Sequence, residues 1–213
     1  MTKIMNLGRD NYYTQNNNPT IYGDNPDIPG DKDTVVKAFV QCMPTAYVMF
    51  LIGNKISFNN SSSLPHDAFF TALLVTPAAW EFAKKKYGTL VADGYAPYEI
   101  HGMYGSYLSP IICGHRVSDF RIDLTFEDYI HRIRGGQVIM TSGQFANFAG
   151  HAFAAIGAFK SNQEDFLSIA DPHGDFRTFY RSADGYGVTM SKVDFINHAK
   201  PVGKTLKYGH VII

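Results

Sequence analysis

An α+β fold, with N-terminal helices packed on a C-terminal antiparallel sheet, is what this sequence predicts, and three observations carry the prediction. Apolar patterns between Met43 and Arg134 have helical length or spacing and are flanked by recognisable start and stop residues. From Gln137 onward, short apolar runs are separated by Gly, Asn and Asp turns, as in strands linked by hairpins. Helices come first and strands second, which is segregation rather than the alternation of a parallel βαβ sheet.

The elements follow in order. The first forty residues are polar and turn-rich, with Asn16-Asn17-Asn18-Pro19 and the stretch Gly23 to Asp31 supplying turn geometry after a short β-like run, Asn11 to Gln15. Met43 to Ile52 is an apolar run long enough for three helical turns, with Pro44 tolerated in the first turn and Gly53-Asn54 as a stop. Thr76-Pro77 opens a second helix, in which Ala79, Trp80, Phe82 and Ala83 recur before Gly88 ends it. Thr125 reads as the N-cap of a third, with Glu127 and Asp128 in its first turn and Arg132 and Arg134 in its last, matching the helix dipole at both ends. Residues 88–120, rich in Gly and Tyr and without clear periodicity, are expected to form a functional loop or lid, or a packed loop whose tyrosines cover the core. Strands are expected at Val138 to Met140, His151 to Phe159, Phe166 to Ala170, Phe176 to Tyr180 and Tyr208 to Ile213, and Ser191 with Asp194 reads as a capping box opening a short helix to about His198.

Composition narrows the function classes. The 213 residues suit a single domain, 1–213; 45% are hydrophobic and 18% charged, enough apolar material for a core. Nineteen basic residues balance nineteen acidic ones, so the surplus of positive charge that grips nucleic acid is missing, and Lys84-Lys85-Lys86 is only a short helix edge. No apolar stretch has the length of a membrane span or a signal peptide, which predicts synthesis and folding in a reducing cytoplasm. Two cysteines, Cys42 and Cys113, cannot staple a scaffold or build a Cys-rich zinc site. Asp171, His173 and Asp175 alternate, and Cys113-Gly114-His115 is a possible ligand pair, but the spacings typical of metal sites are lacking; neither metal nor cofactor is expected.

The chemistry-bearing residues are few. Cys42 opens the first helix, where unpaired N–H groups and the positive dipole end favour a thiolate, the form in which cysteine acts as a nucleophile. On position alone a buried inert thiol is the commoner reading, and Cys113, within an apolar run, reads as core. His151 opens a strand directly after Gly150, which leaves room for a backbone or substrate to approach. Asp171 ends the next strand, and a hairpin turning at Lys160 to Asp165 would set it beside His151. Such a carboxylate would orient the imidazole and stabilise its charged form. A core histidine and a turn-initiating Asp171-Pro172 are the plain readings of each residue alone.

The order Cys42, Gly150-His151, Asp171-Pro172-His173-Gly174-Asp175 resembles the papain-like cysteine peptidase superfamily, in the bacteriocin-processing-peptidase-like branch that occurs in phage lysins. Tyr12-Tyr13-Thr14-Gln15-Asn16-Asn17-Asn18 is similar to the Tyr-x-x-Gln-x-x-Asn segment that precedes the nucleophile there, and Cys42-Met43-Pro44-Thr45-Ala46 follows Cys-x-x-Thr-Ser except at Ala46. The resemblance implies that Cys42 is the nucleophile, His151 the general acid and base, Asp171 the orienting carboxylate and Gln15 the side-chain oxyanion donor, partnered by the Cys42 backbone N–H. Gln41, next to the nucleophile, is the rival donor. The implied activity is hydrolysis of peptidoglycan amide or peptide bonds in the manner of a phage lysin, at the bacterial cell wall. A peptidase trimming a protein or leader peptide, and a catalytically silent binding module, are the alternatives.

Overall fold

The computed structural model describes residues 3–23, 34–145, 148–198 and 207–213. Nine strands and seven α-helices are found among them: β1 Ile4–Met5, β2 Ile21–Gly23, β3 Thr34–Val36, α1 Cys42–Gly53, α2 His66–Leu74, α3 Pro77–Tyr87, α4 Thr89–Ala92, α5 Ser109–Cys113, β4 Ser118–Leu124, α6 Phe126–Arg134, β5 Ile139–Phe145, β6 Phe148–Ser161, β7 Glu164–Ala170, β8 Tyr186–Ser191, α7 Lys192–His198 and β9 Lys207–Ile212. The fold is α+β, and the sheet is antiparallel with order β4-β9-β5-β6-β7-β8; β1 adds to β6, and β2 and β3 form a separate hairpin. The chain's last strand therefore lies inside the sheet, between β4 and β5. No helix of the described residues is long and apolar enough to cross a membrane.

The sheet carries helices on both faces. Along β6, Ala152 and Ala154 face α1, while Phe153 and Ala155 pack with Tyr129 and Ile133 of α6 and Phe195 of α7. This is the period-2 alternation of a strand covered on both sides. α1 is apolar all round because it is enclosed all round: Tyr47, Val48, Met49, Phe50 and Leu51 have no exposed surface. Truncating one of its large side chains, such as Phe50 to Ala, would cost about 3–5 kcal/mol through lost burial and a residual cavity. Asn54, just past α1, is bonded to both the N–H and the C=O of Val138, which pins the helix C-terminus to the start of β5.

Local chemistry explains several boundaries. The Thr76 hydroxyl accepts from the Ala79 N–H at the start of α3, and Gly88, with φ 54°, ends it. Thr125 and Asp128 bond reciprocally at the start of α6, as do Ser191 and Asp194 at the start of α7. β6 turns into β7 through Asn162 and Gln163, both left-handed at φ 49° and 67°, which is the two-residue turn that matches strand twist.

Other expectations are corrected. Phe176 to Tyr180 is not a strand: Phe176–Thr178 form a 3₁₀ turn because Asp175 caps the Arg177 N–H, and Phe179 and Tyr180 follow with φ 54° and 59°. The β-like run Asn11 to Gln15 lies between two 3₁₀ turns, Arg9–Asn11 and Gln15–Asn17. Much of the expected loop at 88–120 is helical, comprising α4, a 3₁₀ turn Pro97–Glu99, a π-helical turn Tyr104–Leu108 and α5, with Met103, Tyr104 and Leu108 fully buried. The expected turn from Gly23 to Asp31 falls almost wholly outside the described residues.

Candidate active site

Cys42 is the first residue of α1 and is half-buried, so its thiol stands at the helix N-terminus with part of its surface open. The sheet delivers the other two groups. In the β6–β7 hairpin Ala154 pairs with Ala170, so His151, three residues before the first, and Asp171, one after the second, share one end of the sheet. His151 Nε2 lies 2.6 Å from Asp171 Oδ1, and both side chains are almost completely buried, at 4% and 0% exposure. The same carboxylate oxygen accepts the His173 N–H at 2.9 Å, and the Tyr12 hydroxyl donates to the Asp171 carbonyl at 2.7 Å, so the acid cannot swing away. Engaging Nε2 leaves Nδ1 as the ring nitrogen that can face Cys42, which is near enough to raise the imidazole's pKa.

Electrostatics follows from this packing. Burial alone would drive His151 toward its neutral form, but the Asp171 charge, the hydrogen bond to Asp171 and the bond and charge of Cys42 together outweigh it, holding the imidazole's pKa up at about 10. At neutral pH this raised pKa favours the imidazolium form of the ring, beside Cys42 and the Asp171 carboxylate. Cys113 is the contrast: burial pushes its thiol up to about 11, which keeps it protonated and unreactive.

Gln15, almost fully buried, belongs to the turn beside this centre. Its backbone N–H donates to Pro172 O at 3.0 Å, and its Nε2 donates to Phe39 O at 2.6 Å, three residues before Cys42. Its Oε1 is buried without a hydrogen-bond partner. The amide carries a second N–H, which is the group an oxyanion role requires. Gln41 is differently occupied: Nε2 donates to Pro19 O at 2.8 Å and to Val36 O at 3.2 Å, and Oε1 accepts from Asn18 at 3.1 Å. A fully buried amide committed in this way is a structural tie, which removes Gln41 as the rival donor. Asp175 pairs with Arg177 at 2.8 Å and organises its own turn; it does not bond His151.

Two tyrosines that sequence reasoning left unassigned lie near the centre. The Tyr180 ring stands edge-on to His151 at 5.8 Å and to His173 at 4.9 Å, and its hydroxyl donates to Asp171 Oδ2 at 3.5 Å. Burial and the nearby Asp171 and Cys42 hold its phenol far above the ordinary range. Burial and the charges of Glu99 and Cys42 likewise push Tyr98, in the segment between α4 and α5, up to about 12. Phe179, 72% exposed in a left-handed backbone, precedes Tyr180 in the chain. The only sequence signal for Tyr98 was the tyrosine-rich character of its segment; for Tyr180 there was none, since both left-handed residues are non-glycine. Next to His151 in β6, a side chain added at Gly150 would meet no atom within 4 Å, but it would project to the opposite face of the strand from the imidazole.

Among the described residues, no group of three or more His, Cys, Asp or Glu side chains is arranged to hold a metal ion. Asp171 and Asp175 point to different partners, and His115 Nδ1 lies against the Cys113 carbonyl. A separate open cleft of about 640 Å³, lined by Phe126, Ile130, Arg134, Lys192 and Ile196 among others, involves none of the residues of this centre. Fold and site together define a protein with a thiol–imidazole–carboxylate constellation at the junction of a buried helix and an antiparallel sheet. No family model, no curated protein and no solved structure matches the chain.

Proposed function

We propose that the chain is a papain-like cysteine hydrolase that cleaves amide or peptide bonds of bacterial peptidoglycan, as an endopeptidase or amidase of the phage-lysin kind. One observation carries the catalytic part: a buried His151–Asp171 pair at 2.6 Å whose imidazole also feels the thiol at the N-terminus of α1. Three unrelated chain positions meet in the geometry of nucleophile, base and orienting acid. The substrate class rests on the resemblance of the segments around Gln15, Cys42 and His151 to lysin-type domains.

In this reading thiolate Cys42 attacks the carbonyl carbon, and the oxygen takes up the electron pair between the Cys42 backbone N–H and Gln15 Nε2. The His151 imidazolium, through Nδ1, gives its proton to the leaving nitrogen as the C–N bond breaks, and a thioester remains on Cys42. Neutral His151 then takes a proton from water, the hydroxide oxygen adds to the thioester, and the C–S bond breaks to release the carboxylate. Asp171 keeps the ring oriented throughout. Tyr180 shields the His151–Asp171 bond from water, which keeps that pair electrostatically strong.

Clearing of a suspension of purified bacterial walls, run beside a fluorogenic peptide assay, tests the reading. Wild-type protein should clear the walls and the Cys42→Ala variant should not. Cleavage of the peptide alone would move the function to protein or leader-peptide processing, and inactivity in both assays would leave a binding module.

A further inference from the structure

The segments of the Gln15 and Cys42 motifs hold two residues to which catalysis gives no task, Asn18 and Thr45, and the fold sends both to one buried acid. Asp67, in the first turn of α2, has no exposed surface. Its Oδ2 accepts from Asn18 Nδ2 at 2.8 Å and lies 2.9 Å from the Thr45 hydroxyl, whose one proton it shares with the Gln41 carbonyl at 2.8 Å, and its Oδ1 accepts the Ala68 N–H at 3.1 Å. None of these three partners is a cation. Gln41 joins the same group through Asn18, and Thr71 joins through Gln41 Oε1 at 3.4 Å and through the Asp67 carbonyl at 2.9 Å. A buried carboxylate held only by neutral donors is costly unless every bond is made, so these bonds fix its surroundings closely.

These bonds join the turn that carries Gln15 to the start of α1. Asn18 closes the turn that carries Gln15, its N–H bonding Gln15 O at 3.1 Å. Thr45 lies in the first turn of α1, three residues after Cys42. Asp67 bridges the two. At its other end the Gln15 turn is tied to Pro172, next to Asp171, through the Gln15 N–H and the Thr14 hydroxyl. We infer that Asp67 is a positioning residue, which through Asn18 and Thr45 holds the Gln15 amide at the distance from the Cys42 N–H that a developing oxyanion requires. This rests on the acyl-transfer reading above and adds to it a residue that contacts neither substrate nor thiol.

A carboxylate is needed because it only accepts. In Asp67→Asn, whichever way the amide turns, its NH₂ faces either the Ala68 N–H or the Asn18 NH₂, and the bridge loosens. Two reactions of Cys42 separate this role from plain support. Alkylation by iodoacetamide is a displacement at carbon: the thiolate forms a C–S bond, iodide leaves with its electron pair, and no oxyanion develops. Acylation by 4-nitrophenyl acetate forms a tetrahedral oxyanion before the C–O bond breaks and 4-nitrophenolate leaves. Asp67→Asn and, as an independent break in the same bridge, Asn18→Ala should lower the acylation rate about 10–100-fold, less than the 10²–10³-fold of deleting a donor outright. Alkylation of Cys42 should stay within about threefold of wild type, in protein shown by circular dichroism to be folded at the assay temperature. Parallel loss of both rates in whichever variants fold, or loss of neither, overturns the role of Asp67 while leaving the hydrolase reading standing. Wild-type protein that is alkylated at Cys42 but never acylated overturns the hydrolase reading itself.

Discussion

Replacing Asp171 by Asn changes one charge and almost no volume, and the structure says what should follow. The largest influence on the His151 imidazole is burial, which acts downward; the next two, the charge and the hydrogen bond of Asp171, act upward. With the carboxylate gone, only Cys42 still acts upward against burial, so a ring whose pKa is held up at about 10 should lose its proton at a clearly lower pH. The alkaline limb of activity, which marks loss of the imidazolium, therefore moves down from near pH 10 toward neutrality. At pH 7.5, a limb as low as 6.5 would leave about one molecule in ten with the productive ion pair. The new amide can also turn its NH₂ toward the ring and favour the wrong tautomer, a change that costs about 10⁴ in a serine triad. Because a thiolate–imidazolium pair needs less help from the carboxylate, a total loss of about 10–10³-fold at neutral pH is expected. The assay is kcat/KM for an ester substrate from pH 5 to 11, with the iodoacetamide rate at Cys42 followed over the same range. Asp175→Asn is the control: it loses a turn cap and an ion pair with Arg177, and should cost less than about tenfold with the limb unmoved. A wild-type limb near 6.5, or one at the same pH in wild type and Asp171→Asn, would refute the reasoning.

The remaining predictions are of the same kind. Cys42→Ala should abolish hydrolysis without unfolding the protein, whereas Cys113→Ser should retain most activity; at neutral pH iodoacetamide should label Cys42 well ahead of Cys113, as peptide mapping would report. Gln15→Ala should lower turnover about 10²–10³-fold with little change in KM. Gln41→Ala should act on stability instead, costing about 1–3 kcal/mol in a urea melt for the partners left buried and unpaired. Acid should destabilise the fold through His101 and His210, which burial holds down at about 4 and about 3. Both are neutral in the fold and gain a proton on unfolding below pH 6.5, so stability falls as pH drops from 6.5 toward 3–4, by about 1.4 kcal/mol per pH unit per group. His210→Phe should flatten the acid side of a pH–stability curve, and an unchanged curve would count against that assignment.

Elements whose signals are local were legible in the sequence. Thr76, Thr125 and Ser191 announce helix starts because the cap is made by a side chain within three residues of the N–H it satisfies. α1 was legible because a helix enclosed on all sides must be apolar on all sides, and the approach of His151 to Asp171 because one short hairpin turn sets both. α2 was hidden because Pro65 occupies its cap position and none of the usual capping side chains stands there. β4 was hidden because its exposed residues, Arg121 and Asp123, satisfy each other at the surface and blur its alternation. Phe176 to Tyr180 has strand composition, but the Asp175 cap and the following left-handed pair bend it into a turn over the site. The inserted helices at 89–113 are too short, and too interrupted by Gly and Pro, to show a period. Asp67 could not be found at all, since its partners lie 49 and 22 residues away in the chain.

Digestion of purified peptidoglycan, with mass spectrometry of the released fragments, tests the central claim most directly. The account predicts fragments carrying a new carboxylate end and its matching amine end, released by wild-type protein and absent with Cys42→Ala. Fragments released equally by both proteins, or by neither, would contradict it.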